Sequence, residues 1–204
     1  MQPPEYCLSG RMEPEALFEK LCKLLPTITA EELRQLGPSL GDSIPELKPL
    51  LDFDQRSPHH AYDLFTHVSY VVAGVPGDLA LRWAALLHDI GKIPTFTRDA
   101  TGRGHFYGHA PAGAEMADAV LRRLNAPEDM RRQVVTLIAN HMTKLKPENL
   151  RQKVEELGYE TVEALLYLQE ADMASKGRGT PPEMAQFPLL RARLEELRKN
   201  GICV

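Results

Sequence analysis

An all-α fold is what this sequence predicts, on three observations. Its long stretches are dominated by Leu, Ala, Glu and Arg, side chains that lose little rotamer freedom in a helix, whereas aromatic residues make up only 6%. Apolar residues recur at steps of three and four instead of alternating. Pro and Gly fall at the ends of these periodic stretches, where they start or stop helices.

Each element follows in turn. Residues 12–25 place Leu17, Phe18, Leu21 and Leu25 at helical spacing, and Pro26 closes them. Thr29, followed by Ala-Glu-Glu, reads as the cap of a second helix. Residues 37–60 are rich in Pro, Gly, Ser and Asp around an apolar island at Leu47, Leu50 and Leu51, and read as a connector. A helix over 62–73 is closed by Gly74 and Pro76, Asp78 caps another reaching 89 that Gly91 stops, and Pro111 opens one running to 124. Asn125-Ala-Pro-Glu128 resembles a capping box ahead of a helix reaching 142; further helices span 161–174 and 182–199, the last with Leu190, Leu194 and Leu197 on one stripe. The chain thus divides into an amino-terminal helical segment with its connector, 1–43, and a helical body, 44–204.

Two hundred and four residues, 43% hydrophobic and 25% charged, suit one ordinary globular domain. Lys plus Arg number 24 against 28 for Asp plus Glu, a net charge of -4, so no protein-wide positive field draws in nucleic acid. Any tRNA contact has to be local, and net charge does not favour one. The cysteines Cys7, Cys22 and Cys203 form no CxxC pair, which fits a reducing cytoplasm. No apolar run approaches the roughly 18 residues of a membrane span, and the first residues lack the basic and apolar regions of a signal peptide, so a cytoplasmic location without a membrane partner is expected.

The informative residues are polar ones on the apolar faces of these helices. His67 shares a face with Leu64 and Val71; His141 shares one with Val134, Ile138 and Met142. Asp172 continues the stripe of Thr161, Leu165 and Leu168 with no evident ion-pair partner on its own helix face. His88 and Asp89 end a helix whose preceding residues, 83–87, are all apolar, and His109 stands at the mouth of another, one turn before Gly113. Taken singly, an inward His is more often a satisfied core residue than a ligand. Burying six such groups costs far more than burying one, and a shared cation offsets the desolvation of all of them. Imidazole with carboxylate is the donor set for divalent transition metals, so His67, His88, Asp89, His109, His141 and Asp172 are the candidate ligands of one or two ions among Mn, Fe, Co, Ni or Zn.

The order His67, then Leu86-Leu-His-Asp-Ile-Gly-Lys92, then Asp172 resembles the metal-binding signature of the HD superfamily of metal-dependent phosphohydrolases. Pro45-Glu-Leu-Lys-Pro49, Asp54-Gln, His59-His-Ala-Tyr-Asp63, Thr66-His67, His105-Phe-Tyr-Gly-His109 and Gly113-Ala-Glu-Met116 are similar to the HD domain of bacterial tRNA nucleotidyltransferases. Those enzymes carry a nucleotidyltransferase domain ahead of the HD domain, and the residues before Pro45 are too few to contain one, so CCA addition by this chain alone is not expected. The late His141 and the run His109-Ala-Pro are also like those of small two-metal nucleotide hydrolases.

The resemblance implies an HD-type helical bundle with short amino-terminal helices packed on it, hydrolysing a nucleotide-type phosphate ester through a metal-bound hydroxide. His67, His88, Asp89 and Asp172 are expected to hold the first ion, and Asp89 to share a second with His109 and His141. Lys92 is the candidate cation for the phosphoryl charge, while His59, His60, His105, Lys176 and Arg178 are candidate substrate contacts. Two other functions suit the same residues: a di-iron oxygenase on the HD scaffold, or a non-catalytic module that binds tRNA or a protein partner.

Overall fold

The computed structural model describes residues 12–57, 61–177, 179 and 181–201. Ten α-helices appear among them: α1 (Pro14–Leu24), α2 (Ala30–Ser43), α3 (Leu64–Gly74), α4 (Leu79–Leu87), α5 (Lys92–Thr95), α6 (His109–Arg123), α7 (Glu128–Asn140), α8 (Leu150–Leu157), α9 (Tyr159–Ala174) and α10 (Gln186–Lys199). One small antiparallel ladder, β1 (Thr97–Arg98) with β2 (Gly104–His105), pairs Thr97 with His105. The all-α expectation holds.

The apolar content of α4 determines the architecture. Every residue from Ala80 to Leu87 is buried, including Trp83, because a helix apolar at every position but Arg82, whose Nε donates to the Pro76 carbonyl oxygen at 3.0 Å, finds its minimum at the centre of a bundle. Helices α3 and α7 lie against it, α9 covers α3, and α6 packs along α7. The carboxyl end of α4 therefore delivers whatever follows Leu87 into the middle of the molecule.

The amino-terminal helices belong to the same core, through Leu17, Leu21, Leu33, Leu36 and Leu40. Thr29 makes the expected capping box: its hydroxyl accepts from the Glu32 amide at 3.3 Å, and the Glu32 carboxylate accepts from the Thr29 amide at 2.8 Å.

The connector reading of 37–60 is corrected. Helix α2 continues through Gly37 and Pro38 to Ser43, and Pro45–Leu50 forms a 3-10 turn. Gly37 is a packing residue, since a Cβ there would stand 2.7 Å from a ring carbon of Phe65. The close approach of α2 to α3 outweighs the weak helix preference of glycine.

Other boundaries shift for local reasons. Asn125 takes a left-handed conformation, φ 56°, and Pro127 precedes the first turn of α7 without a side-chain cap, so the expected capping box does not form. Helix α7 ends at Asn140, and Met142, expected on its inward face, is 60% exposed. Helix α6 begins at His109, two residues before Pro111. Helix α8 and the β1–β2 ladder have no counterpart in the sequence reading; the strands are two residues long, too short for an alternating pattern.

Candidate metal centre

Four helix ends and one helix interior meet at the bundle centre. His67 lies within α3, His88 and Asp89 follow the last turn of α4, His109 opens α6, His141 caps the end of α7, and Asp172 sits in the last turn of α9. Two glycines permit this convergence. A Cβ on Gly91 would lie 2.2 Å from the His109 carbonyl oxygen and 2.4 Å from the Gly113 nitrogen, so only a bare backbone lets the turn after Asp89 touch the start of α6. Gly113 is the counterpart of Gly91 across this contact, its own Cβ position lying 3.3 Å from the Gly91 nitrogen.

The four histidines share one orientation. Nδ1 of His67 faces the Ser175 carbonyl oxygen at 3.2 Å, that of His88 faces Ala85 at 2.8 Å, that of His109 faces Phe106 at 2.8 Å, and that of His141 faces Ile138 at 2.6 Å. A carbonyl oxygen only accepts, so Nδ1 carries the proton in each ring and Nε2 is left to the centre. Metal-ligating histidines are oriented by this same kind of outer hydrogen bond.

The Nε2 atoms face two carboxylates. His67 Nε2 is 3.0 Å from Asp172 Oδ1 and 3.6 Å from Asp89 Oδ2; His88 Nε2 is 3.2 Å from Asp89 Oδ2 and 4.0 Å from Asp172 Oδ1; His109 Nε2 is 3.7 Å from Asp89 Oδ1. Donor atoms of His67, His88 and Asp89 lie within 4.8 Å of one another, as do those of Asp89, His109 and His141. Asp89 belongs to both groups, with one oxygen toward each.

Burial sharpens the electrostatics. His67, His88, Asp89, His109 and His141 are buried, and the Asp172 side chain is 21% exposed. Burial, followed by the neighbouring His88, pushes the His141 imidazole down to about 4, and burial also lowers His109, so both rings are neutral at physiological pH. Burial works against ionising Asp89, but His88 and Lys92 hold its carboxyl well below the usual range. Burial likewise opposes Asp172, where His67 and Lys176 prevail. For His88, burial disfavours the imidazolium and the Asp89 carboxylate reverses that effect, raising its pKa.

A cation fits these donors on a specific observation. His109 Nε2 and His141 Nε2 are 3.0 Å apart, each on a ring whose Nδ1 proton is committed to a carbonyl. Two lone pairs at that distance repel. A proton between them would create a buried imidazolium, which the lowered pKa of both rings opposes. A metal ion bound by both nitrogens relieves the repulsion. His88 Nε2, fully buried, also lacks a hydrogen bond among the described residues.

Lys92 is buried rather than exposed. Its ammonium lies 2.8 Å from Asp89 Oδ2, donates to Gln55 Oε1 at 2.9 Å and stands 5.3 Å from the centre of the Phe106 ring. Gln55, itself 1% exposed, is the residue the sequence reading passed over; it stood in the Asp54-Gln motif without a role. Burial of a Gln in an extended loop has no periodic signature, so only that motif marked it.

Over these groups opens a cavity of about 280 Å³ whose walls include Lys92, His105, Phe106, Tyr107, Met142 and Lys176. His105, on β2, is held by Asp99 at 2.8 Å and stacks on Tyr107, their ring centres 5.4 Å apart. Lys176 reaches Asp172 Oδ2 at 3.4 Å, which corrects the expectation that Asp172 has no ion-pair partner on its own side of the helix. His59, His60 and Arg178 lie outside the described residues. The arginines flanking the α6–α7 loop are all in ion pairs: Arg122 and Arg131 with Asp118, Arg123 with Glu46, and Arg132 with Asp129.

Comparison with known proteins agrees with this geometry. The family model described as HD domain matches residues 65–176, from α3 to the turn after α9. An A-adding tRNA nucleotidyltransferase of Deinococcus radiodurans is 33% identical over 157 residues, 74% of this chain and 36% of that protein. A multifunctional CCA protein of Halorhodospira halophila is 31% identical over 202 residues, 91% of this chain and 48% of its own length. A CC-adding tRNA nucleotidyltransferase of Thermus thermophilus is 34% identical over 145 residues, 66% of this chain and 33% of that protein. The chain therefore spans less than half the length of each of these relatives. With more than half of its residues matched to the family model, the chain belongs to the HD domain family.

Proposed function

We propose that this protein is a metal-dependent phosphohydrolase acting on nucleotide-type phosphate esters, with the HD-type body over 44–204 carrying the reaction and 1–43 packed on it as an amino-terminal helical segment. The observation that carries the reading is the common orientation of His67, His88, His109 and His141, whose Nε2 atoms gather around Asp89 and Asp172. His67, His88, Asp89 and Asp172 would hold one ion, and Asp89, His109 and His141 a second. The chemistry that a divalent ion of the Mn, Fe, Co, Ni or Zn class would supply there is activation of water near neutral pH and polarisation of a phosphoryl oxygen.

The chain's own residues supply the rest. The Lys92 ammonium, at the cavity wall, stabilises charge developing on a phosphoryl oxygen, and it is preorganised by Gln55 and Asp89 so that little reorientation is needed. Lys176 provides a second cation in the same cavity, and His105, also in its wall, contacts the leaving group. The Phe106 ring, 5.3 Å from the Lys92 ammonium, gives that cation an apolar neighbour at the cavity wall.

A nucleotide substrate is supported by the relatives, whose names describe tRNA nucleotidyltransferases and CCA proteins. The paired arginines and the net charge of -4 favour a small nucleotide over a long RNA backbone.

The test is phosphate or alcohol release from p-nitrophenyl phosphate, bis-p-nitrophenyl phosphate and a set of nucleoside phosphates, with Mn, Co or Ni added. Turnover that disappears in Asp89→Ala supports the reading. No turnover with any ion, together with oxygen uptake by iron-loaded protein, would establish the oxygenase instead; tRNA binding with neither activity would establish the binding module.

A further inference from the structure

A second cavity, of about 350 Å³, adjoins the metal centre on the side away from Lys92. The two cavities share His141, Met142, Asp172 and Lys176, so a molecule seated over the carboxylates can extend from one into the other. The walls of the second differ in kind. Leu145 and Phe187 are buried there, Met173 is half-buried, and Met142 exposes 60% of its surface at the junction.

The same cavity is richer in cations than in carboxylates. Lys144 and Lys146, both exposed, line it together with Lys176, against Glu183 and against Asp172, which Lys176 pairs with at 3.4 Å. The segment bearing Lys144 and Lys146 is fixed by its own hydrogen bonds. Asn149 Nδ2 donates to the Lys144 carbonyl at 2.9 Å, the Lys146 amide donates to Asn149 Oδ1 at 2.9 Å, and Gln169 of α9 donates to the Thr143 carbonyl at 2.8 Å. Neither Lys144 nor Lys146 has an ion-pair partner among the described residues, whereas most surface arginines of the molecule do. With no carboxylate among the described residues paired to either, both ammonium groups are left to an anion that enters the cavity.

We propose that this cavity seats the organic part of the substrate together with a second phosphate: the ester cleaved at the metal centre is a nucleotide whose ring lies over Met142 and Leu145 and whose additional phosphate reaches Lys144 and Lys146. The inference rests on the phosphohydrolase reading and deepens it. Apolar walls suit a flat ring system, and the lysine pair beyond them suits a dianion one nucleoside away from the scissile phosphate. A nucleoside bisphosphate and the phosphorylated end of an RNA chain share this chemistry.

The test measures binding as well as turnover, so that it stands even if no ester is cleaved. The dissociation constants of adenosine 3′,5′-bisphosphate, adenosine 5′-monophosphate and a 3′-phosphorylated adenylyl dinucleotide are measured by calorimetry on the full chain, metal-loaded and metal-free. The wild type is expected to hold the bisphosphate about tenfold tighter than the monophosphate, as two exposed cations facing one dianion allow. Lys144→Glu/Lys146→Glu is expected to abolish that preference, with bisphosphate affinity falling by a larger factor than monophosphate affinity; Lys144→Ala/Lys146→Ala should fall between. A further gain for the dinucleotide identifies a chain end as the source, and equal affinity identifies the free nucleotide. Equal binding of bisphosphate and monophosphate by the wild type, or a preference that survives charge reversal, overturns the inference. Absence of turnover with the preference intact would instead overturn the hydrolase reading and leave only the seat for a doubly phosphorylated nucleotide standing.

Discussion

At the residue scale, the site depends on which nitrogen of each histidine carries the proton. The four Nδ1 contacts to main-chain carbonyls fix that choice, and removal of such outer contacts typically costs about 10- to 100-fold in metal affinity or activity. Loss of a ligand is expected to cost more: His88→Ala or Asp89→Ala should lower turnover by at least about 100-fold and deplete the protein of metal, as followed by elemental analysis beside the assay. A variant that keeps both metal and rate would show that Asp89 is not shared. Gln55 makes a different prediction. Gln55→Leu removes the oxygen that accepts from the buried Lys92 ammonium, so the protein should lose about 1–3 kcal/mol in urea denaturation, and phosphoester turnover should fall with it. Of these residues the candidate ligands stood out in the sequence because a polar side chain on an apolar helical face breaks a pattern. Gln55 breaks none, and neither do the carbonyls of Ser175 and Phe106 that orient the rings.

At the element scale, Gly91 and Gly113 let the end of α4 meet the start of α6, which places His88 and Asp89 beside His109. Gly91→Ala must push these segments apart, and overpacking of this kind costs about 1–3 kcal/mol. A fall in thermal stability accompanied by metal loss is the expected outcome; metal retention at full stability would show that the turn has room to move. The β1–β2 ladder is tied by Asp99, whose carboxylate accepts from the amides of Thr101 and Arg103 and from the Thr101 hydroxyl, and faces His105 Nε2. The Thr101 hydroxyl and His105 lower the Asp99 pKa. A depressed carboxyl adds stability that is complete above its unfolded pKa and is lost as pH falls through the folded one. Amide exchange in 97–105 should therefore stay slow from pH 7 down to about 4, near the unfolded value, and speed up at pH 7 in Asp99→Ala. Exchange that is already fast at pH 6 in the wild type would contradict this. Helices with long apolar stripes were legible to within a few residues. Helix α2 outran its expected end because the Gly37–Phe65 contact, a tertiary fact, overrides the local meaning of Gly and Pro.

At the scale of the whole molecule, one core runs from Leu17 in α1 to Leu197 in α10, and the candidate metal centre sits inside it. No helix among the described residues is long and apolar enough to cross a membrane. Because the candidate ligands come from α3, α4, α6, α7 and α9, an ion bound among them ties five helices together. Ligand binding to the native state at 100 times its dissociation constant adds about 2.7 kcal/mol, or roughly 5–10 °C in Tm for a chain of this length. Scanning calorimetry should show a rise of that size on adding Mn or Co and its reversal by a chelator. The fold class and the convergence of distant His and Asp residues could be anticipated from periodicity and the HD resemblance; the second cavity could not, since its walls come from the 141–146 turn, α9 and α10, which no spacing relates. The central claim is that His67, His88, Asp89, His109, His141 and Asp172 form a cation-binding centre. Its most direct test is the metal-to-protein ratio after loading with Mn, Fe, Co, Ni or Zn and desalting, on the wild type and Asp89→Ala in parallel. The account predicts one to two ions per wild-type chain and almost none in the variant; a wild type that retains no ion, or a variant that retains as many, contradicts it.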